Sequence, residues 1–259
     1  MPEAAYEYYG LTAQTWDLFR GDTSGWEDRR FYLDIIHDSG QPVLDVGCGT
    51  GRLLVDYLGL GIDIEGVDIS PEMLELCHQK AQTKGLTATL YEGSMETMAL
   101  PRKYQTILVP SSSFQLIIEP DQAQRAIKNL YYHLLPGGML VMPFMLIQKE
   151  DDSLEHDWQL SGEVTRPADG ATIRRWNKNR FDPVTQLEHT EHRYEVIKDG
   201  KLIASEYHKR SPATRQYSQK QALDLYIQAG FDDLQVRKGF THQQASDMDE
   251  IFTISGVRP

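Results

Sequence analysis

The sequence predicts an α/β protein: a doubly wound sheet, parallel in its main part, interrupted by an inserted antiparallel β lid. Three observations carry this. From about residue 41 to 147, the short apolar runs Val43–Val46, Ile64–Val67, Ala88–Tyr91, Thr106–Val109 and Met139–Met145 alternate with the helix-length stretches Gly51–Leu60, Pro71–Lys84 and Gln122–Leu134. Strands alternating with helices give a parallel sheet covered on both faces. Between about 152 and 211 the texture changes to long strand patterns, Thr172–Phe181, Gln186–Ile197 and Leu202–Lys209, with turns at Asp182-Pro183 and Asp199-Gly200 and an earlier one at Asp169-Gly170. From Ser218 the first texture resumes, with a helix stopped by Gly230 and strands near Leu234–Lys238 and Ile251–Val257. The expected organisation is a helical segment over 1–40, a main domain over 41–150 and 214–259, and an inserted subdomain over 151–213.

The boundaries have local causes. Ser70-Pro71 puts a capping hydroxyl before a first-turn proline, and Pro136-Gly137-Gly138 stops a helix expected to run to Leu135. The first 40 residues, with Trp16, Phe19, Phe31, Leu33 and Ile36, read as one or two helices on the core.

Composition narrows the function. The 259 residues carry a net charge of −12, and even the segment richest in Lys and Arg, 150–215, is not basic, which disfavours nucleic acid as a partner and favours a small molecule. No run of about 18 apolar residues is present, as a membrane span would need. The start, MPEAAYEYYG, is acidic and aromatic, unlike a secretory signal, so a cytoplasmic protein is expected. Two cysteines, Cys48 and Cys77, provide neither a disulfide scaffold nor a zinc module and read as packing residues.

The most informative stretch is Asp45-Val46-Gly47-Cys48-Gly49-Thr50-Gly51, where an apolar strand runs into a turn with glycine at every second position. Glycine is needed where backbone takes positive φ or approaches a ligand closely. A second strand ends at Asp68, a carboxylate placed to accept from ribose hydroxyls. A dinucleotide fold wants G-x-G-x-x-G; counted from Gly47 or Gly49 the last position is Arg52 or Leu54, so a nicotinamide oxidoreductase is disfavoured. Arg52 reads as a solvated helix residue.

This pattern resembles the first motif of the class I S-adenosylmethionine (AdoMet) methyltransferases. Asp68-Ile69-Ser70-Pro71 is similar to their second motif. Glu92-Gly93-Ser94-Met95 stands where Gly-Asp-Met is common, with Ser94 in place of the acid, and Leu134-Leu135-Pro136-Gly137-Gly138 is similar to the approach to their fifth strand. The resemblance implies a seven-stranded Rossmann-like methyltransferase sheet, AdoMet as cofactor and S-adenosylhomocysteine (AdoHcy) as product. It implies a cofactor site of Asp45, Gly47, Cys48, Gly49, Gly51, Asp68, Ile69, Met73, Ser94, Met95 and Pro110, with Tyr9 and Arg20 contributed by an N-terminal segment that also carries Tyr6, Trp16 and Phe19.

The Asn/Asp-Pro-Pro-Tyr signature of amino-group methylases acting on nucleic acid or protein is absent after the fourth strand, where Ser112, Ser113 and Gln115 are candidate substrate contacts or, equally, a small-residue turn. In Glu188–Glu195, alternation sends His189, Glu191 and Arg193 to one face and His192 and Tyr194 to the other. His189, His192 and Tyr9 are the candidate proton acceptors, and Arg175, beside Arg174 and Trp176, the candidate anchor for an anionic group. Histidines on opposite faces make no metal site, so none is expected. The expected function is AdoMet-dependent methylation of an N or O atom on a small metabolite. The alternatives are methylation of protein or RNA, or non-catalytic binding of AdoMet or AdoHcy. The inserted sheet is a candidate homodimer interface.

Overall fold

The computed structural model describes residues 8–148 and 153–259. The N-terminal segment forms two helices, α1 (Gly10–Arg20) and α2 (Glu27–Ser39). There follow β1 (Val43–Val46), α3 (Leu54–Gly59), β2 (Ile64–Asp68), α4 (Pro71–Thr83), β3 (Thr89–Glu92), β4 (Tyr104–Leu108), a 3₁₀ turn (Ser113–Leu116), α5 (Pro120–His133) and β5 (Leu134–Met145). The insertion supplies β6 (Glu155–Thr165), β7 (Thr172–Asp182), β8 (Leu187–Lys198) and β9 (Lys201–Arg215), and the chain ends with α6 (Gln219–Ala229), β10 (Asp232–Lys238) and β11 (Ile251–Val257). These divide into two compact units. Of the described residues, one holds 8–23, 147–148 and 153–215, the other 24–146 and 216–259. Among the described residues no helix is long and apolar enough to cross a membrane.

The larger unit is built on a seven-stranded sheet in the order β10-β11-β5-β4-β1-β2-β3, in which β1, β2, β3, β4 and β5 pair in parallel and β11 runs antiparallel to both its neighbours. The central strands are apolar on both faces because helices cover both: Leu44, Ile107, Leu108 and Leu140 are fully buried. The ends of helices follow the expected chemistry. Ser70 accepts from the Met73 N–H at 3.2 Å at the start of α4, and Ser218 and Gln221 form a reciprocal capping box on α6.

One boundary differs from expectation. Helix α5 stops at His133, not Leu135, and strand geometry begins at Leu134, before the Pro-Gly-Gly. The C-terminal end is responsible. Arg258 donates from its side chain to the Leu134 carbonyl at 2.6 Å, and its backbone exchanges hydrogen bonds with Gly137 (2.7 Å) and Gly138 (2.8 Å). The carbonyl of Leu134, where the chain leaves the helix, thus finds a partner 124 residues downstream.

The smaller unit is a four-stranded antiparallel sheet, β6-β7-β8-β9, with α1 packed on one face through Leu11, Leu18 and Phe19 against Ile173, Tyr194 and Val196. Asp199 and Gly200 both take positive φ, 51° and 73°, the twist a two-residue hairpin needs. Strand β6 has no clear sequence signature because its pairing with β7 slips twice, between His156 and Gln159 and between Leu160 and Gly162, which breaks the period-two pattern. Helix α1 has no local cap. Its Leu11 N–H is satisfied by Glu206 Oε2 of β9 at 2.7 Å.

Glycines in β2 and β11 let layers meet. A Cβ on Gly66 would lie 2.4 Å from Leu54 Cδ1 and 2.8 Å from Cys48 Sγ, whereas one on Gly25 would meet open space. Gly66→Ala is therefore expected to destabilise the protein by about 1–3 kcal/mol through overpacking, and Gly25→Ala to leave the urea-unfolding midpoint unchanged.

Candidate active site

The turn leaving β1 is tied to β2. The Gly47 and Cys48 N–H groups both donate to the Val67 carbonyl, at 2.8 and 3.1 Å, and the Gly51 N–H closes the turn on the Cys48 carbonyl at 2.9 Å. Gly47, Gly49 and Gly51 all have positive φ (71°, 54°, 77°), but they do different work. A Cβ on Gly51 would strike Cys77 Sγ at 2.4 Å, so this glycine packs the turn onto α4. At Gly47 it would meet Ser113 Oγ at 2.9 Å, with Met95 Cε at 3.8 Å, which shows that the turns after β1, β3 and β4 converge here. At Gly49 it would meet nothing within 4 Å. This is bare backbone beside open space.

Beside it, Asp68 is held on both oxygens: Oδ2 accepts from the Gly49 N–H at 2.8 Å and Oδ1 from the Ser70 N–H at 2.9 Å. Burial raises its pKa, and the backbone donors from Ser70, Gly49 and Ile69 oppose the rise. The next side chain, Ile69, is a large apolar group left 38% exposed. The acid, the bare glycine and the exposed apolar side chain thus stand together, as a nucleoside with ribose hydroxyls and a flat base would require.

Under the turn lies a buried charged floor. Asp45 is 2% exposed, and its Oδ1 has no hydrogen-bond partner. Burial, with smaller contributions from the Asp68 and Asp28 carboxylates, pushes its pKa up to about 7 against the opposing pull of Arg52. Arg52 is not the solvated helix residue that its position suggested. Its guanidinium donates to Asp28 Oδ1 at 3.0 Å and pairs with Oδ2, the two side chains being 11% and 6% exposed, and it lies 4.9 Å from the Trp26 ring centre. Asp28 comes from the first turn of α2, so sequence distance hid the partner.

The remaining candidates of this unit divide. Cys48 and Met73 face the core, 7% and 2% exposed; only the backbone of Cys48 belongs to the turn, while its thiol hydrogen-bonds to Cys77. Ser94 is engaged locally, its Oγ 2.8 Å from Thr97 Oγ1 and its carbonyl accepting from the Thr97 and Met98 N–H groups. This loop is held from α5: Asn129 donates to the carbonyls of Met95 (3.0 Å) and Met98 (2.9 Å), and the Leu100 N–H donates to His133 Nε2 at 3.2 Å. Pro110 is buried, Ser112 and Ser113 are half-buried, and Ser113 Oγ donates to the Pro110 carbonyl at 2.8 Å. Gln115 corrects the expectation of a substrate contact. It is fully buried, and its amide grips the Met145 backbone at both ends, Oε1 accepting at 2.8 Å and Nε2 donating at 3.0 Å.

In the smaller unit, the Tyr9 ring lies 4.5 Å from that of His208, and the Arg20 guanidinium 4.3 Å from the Trp16 ring centre. Tyr6 lies outside the described residues. His192 lies on the same side of β8 as Tyr194 and Val196, the side that α1 covers, and His189 on the opposite side, opposite Arg180 in register. Burial and the Arg180 charge lower the His189 pKa. Arg175 crosses the Phe19 ring at 4.6 Å, whereas Arg174 pairs with Glu163 and Trp176 donates to Glu195 on the other face. His208, 3% exposed with Nε2 3.0 Å from Glu206 Oε2, escaped the sequence reading; its only signal was the Glu206-x-His208 spacing, which puts both on one strand face.

The Asp45 carboxyl makes a pH prediction for the ligand-free protein. A folded-state pKa of about 7, against about 3.9 unfolded, means that the native state holds a proton that the unfolded chain has lost. The resulting stabilisation is full below about pH 4 and is lost as pH rises to about 7, by up to about 1.4 kcal/mol per pH unit. Urea unfolding of wild type and Asp45→Asn at pH 5, 6, 7 and 8 is expected to show this slope in the difference between them, flattening above pH 7.

Residues 43–138 match the family model described as a methyltransferase domain. Over 134 residues the chain is 30% identical to the dTDP-3-amino-3,4,6-trideoxy-α-D-glucopyranose N,N-dimethyltransferase of Streptomyces venezuelae, an alignment covering 51% of this chain and 52% of that protein. It therefore spans about half the length of that relative. An S-adenosylmethionine-dependent methyltransferase from Clostridium acetobutylicum superposes with a TM-score of 0.76 at 19% identity, covering 95% of this chain and 97% of that one. CalS10, an amino pentose methyltransferase from Micromonospora echinaspora solved with S-adenosylmethionine bound, superposes with a TM-score of 0.67 at 18% identity over the whole of both chains. The glycine turn and the acid ending β2 lie inside the matched residues, so residues 43–138 form a methyltransferase domain, and the seven-stranded sheet around them has the fold of the S-adenosylmethionine-dependent methyltransferases of known structure.

Proposed function

We propose that this enzyme methylates an N or O atom of a small metabolite, with the amine of an amino sugar as the first acceptor to try. The observation that carries the reading is the open space at Gly49 beside the doubly held Asp68 carboxylate. In this reading the Gly47–Gly51 backbone lies along the cofactor, Asp68 accepts from the ribose hydroxyls, Ile69 and Met95 flank the base, and Ser112 and Ser113 face the acceptor. The cofactor supplies an already activated methyl group on a sulfonium. The protein's task is therefore alignment and removal of the acceptor's proton. The amino-sugar acceptor is suggested by the named substrate of the S. venezuelae relative and by the amino pentose methyltransferase of like fold. The net charge of −12 disfavours an RNA acceptor.

Asp68→Ala is expected to weaken AdoHcy binding by about 1.5–3 kcal/mol, the worth of hydrogen bonds to a charged group, in a calorimetric titration. Unchanged affinity would remove Asp68 from the ribose. Tight binding without methylation of any amine, phenol or hydroxyl acceptor would favour a non-catalytic binder instead.

We further propose that the face of the inserted sheet away from α1 contacts a second copy of the chain. Leu160, Trp176, Arg193 and Tyr207 stand in register across all four strands, with Leu160 48% and Tyr207 53% exposed. Glu163, Arg174 and Glu195 form a charged row on one side of them, and Lys178, Glu191 and Lys209 one on the other. Such alternation is self-complementary across a two-fold axis. Light scattering is expected to give a dimer for wild type and a monomer for the Leu160→Glu, Tyr207→Glu double variant; a wild-type monomer would end the proposal.

A further inference from the structure

Asp45 is the first acid of the glycine turn, yet it is walled in. The groups facing it are Arg52 and the Cys48 thiol from its own turn, Asp68 at the end of β2, Asp28 and Tyr32 from α2, and the Leu54 N–H and Tyr57 from α3. The one cation among them, Arg52, is already shared with Asp28 through two hydrogen bonds. With all three carboxyls ionised, this buried floor would hold two negative charges in excess. A low-dielectric interior resists that arrangement most at the carboxyl with the fewest donors. That carboxyl is Asp45: Asp68 receives backbone N–H groups on both oxygens and Asp28 a guanidinium on both, while Asp45 Oδ1 receives none.

We propose that Asp45 holds a proton in the free protein and gives it up when the turn takes up its cofactor. The inference rests on the reading of this turn as the AdoMet site. The carboxyl O–H bond breaks, the electron pair stays on Asp45, and the proton passes to solvent and buffer. AdoMet and AdoHcy each carry an α-ammonium with N–H donors, and AdoMet a sulfonium charge as well. Each also carries an α-carboxylate, so AdoHcy has no net charge; the ammonium end lies toward the floor and the carboxylate away from it, and the ammonium offsets the excess negative charge that keeps Asp45 neutral. Binding and deprotonation are then linked, and acidity competes with the cofactor for one carboxylate.

The test is titration with AdoHcy at pH 6.5 in phosphate and in imidazole, whose ionisation heats differ. The expected result is a buffer-dependent heat corresponding to about 0.7 proton released per AdoHcy bound, falling toward zero at pH 8.5, and affinity about tenfold weaker at pH 6 than at pH 8. Asp45→Asn is expected to abolish both the proton release and the pH dependence. Difference infrared spectroscopy of the wild type gives a reading that does not depend on the variant folding: a protonated-carboxyl band is lost when AdoHcy is added. Tight binding with equal heats in the two buffers would overturn the inference while leaving the cofactor site standing, as would proton release undiminished in Asp45→Asn. Absence of AdoHcy binding would overturn the site reading itself, and this inference with it.

Discussion

The larger unit depends on one constraint: the chain leaving β1 must turn sharply while leaving bare backbone uncovered at Gly49 and packing tightly on either side of it. A side chain at Gly51 would strike Cys77, and one at Gly47 would strike Ser113. The neighbouring elements are therefore fitted to the absence of side chains in the turn. Val67 of β2 accepts two of its N–H groups, α4 seals one flank, and the turns after β3 and β4 close the other. Positive φ at three alternate positions is what makes this path accessible, and only glycine adopts it without strain.

The same turn sits on charge. A buried ion pair contributes little net stability, because desolvation offsets attraction, but it fixes where its partners go. The Asp28–Arg52 pair ties the start of α2 to the turn of β1, and Trp26 covers the guanidinium. With Arg52 so engaged, Asp45 is left with a raised pKa and an unpartnered oxygen at the centre of the sheet. A second tie is Gln115, which spans from the 3₁₀ turn after β4 to the end of β5 and sets the separation of those strand ends.

The inserted sheet is organised differently. It has one apolar face, covered by α1, and one face of paired charges around Trp176 and Tyr207. Its helix is capped from the sheet: Glu206 both receives the Leu11 N–H and faces His208, on which the Tyr9 ring lies. A carboxylate at a helix N-terminus meets the positive end of the helix dipole as well as an unsatisfied donor.

Much of this was legible in the chain. Strand-then-glycine at Val43–Gly51, the acid ending β2, the Ser-Pro start of α4 and the Asp-Gly hairpin are local signals, set by the dihedral preferences and hydrogen-bonding reach of a few adjacent residues. They determined the sheet, the insertion and the place of the glycine turn. Tertiary structure decided what depends on partners far along the chain. Arg52 is buried because Asp28 lies 24 residues before it; Gln115 is structural because Met145 lies 30 residues beyond it. Helix α5 ends early because Arg258 returns to it, and β6 pairs through bulges that erase its alternation. Short-range sterics are written in a sequence; the electrostatic environment of a buried group is not, because it is the sum of whatever the fold brings within a few ångströms.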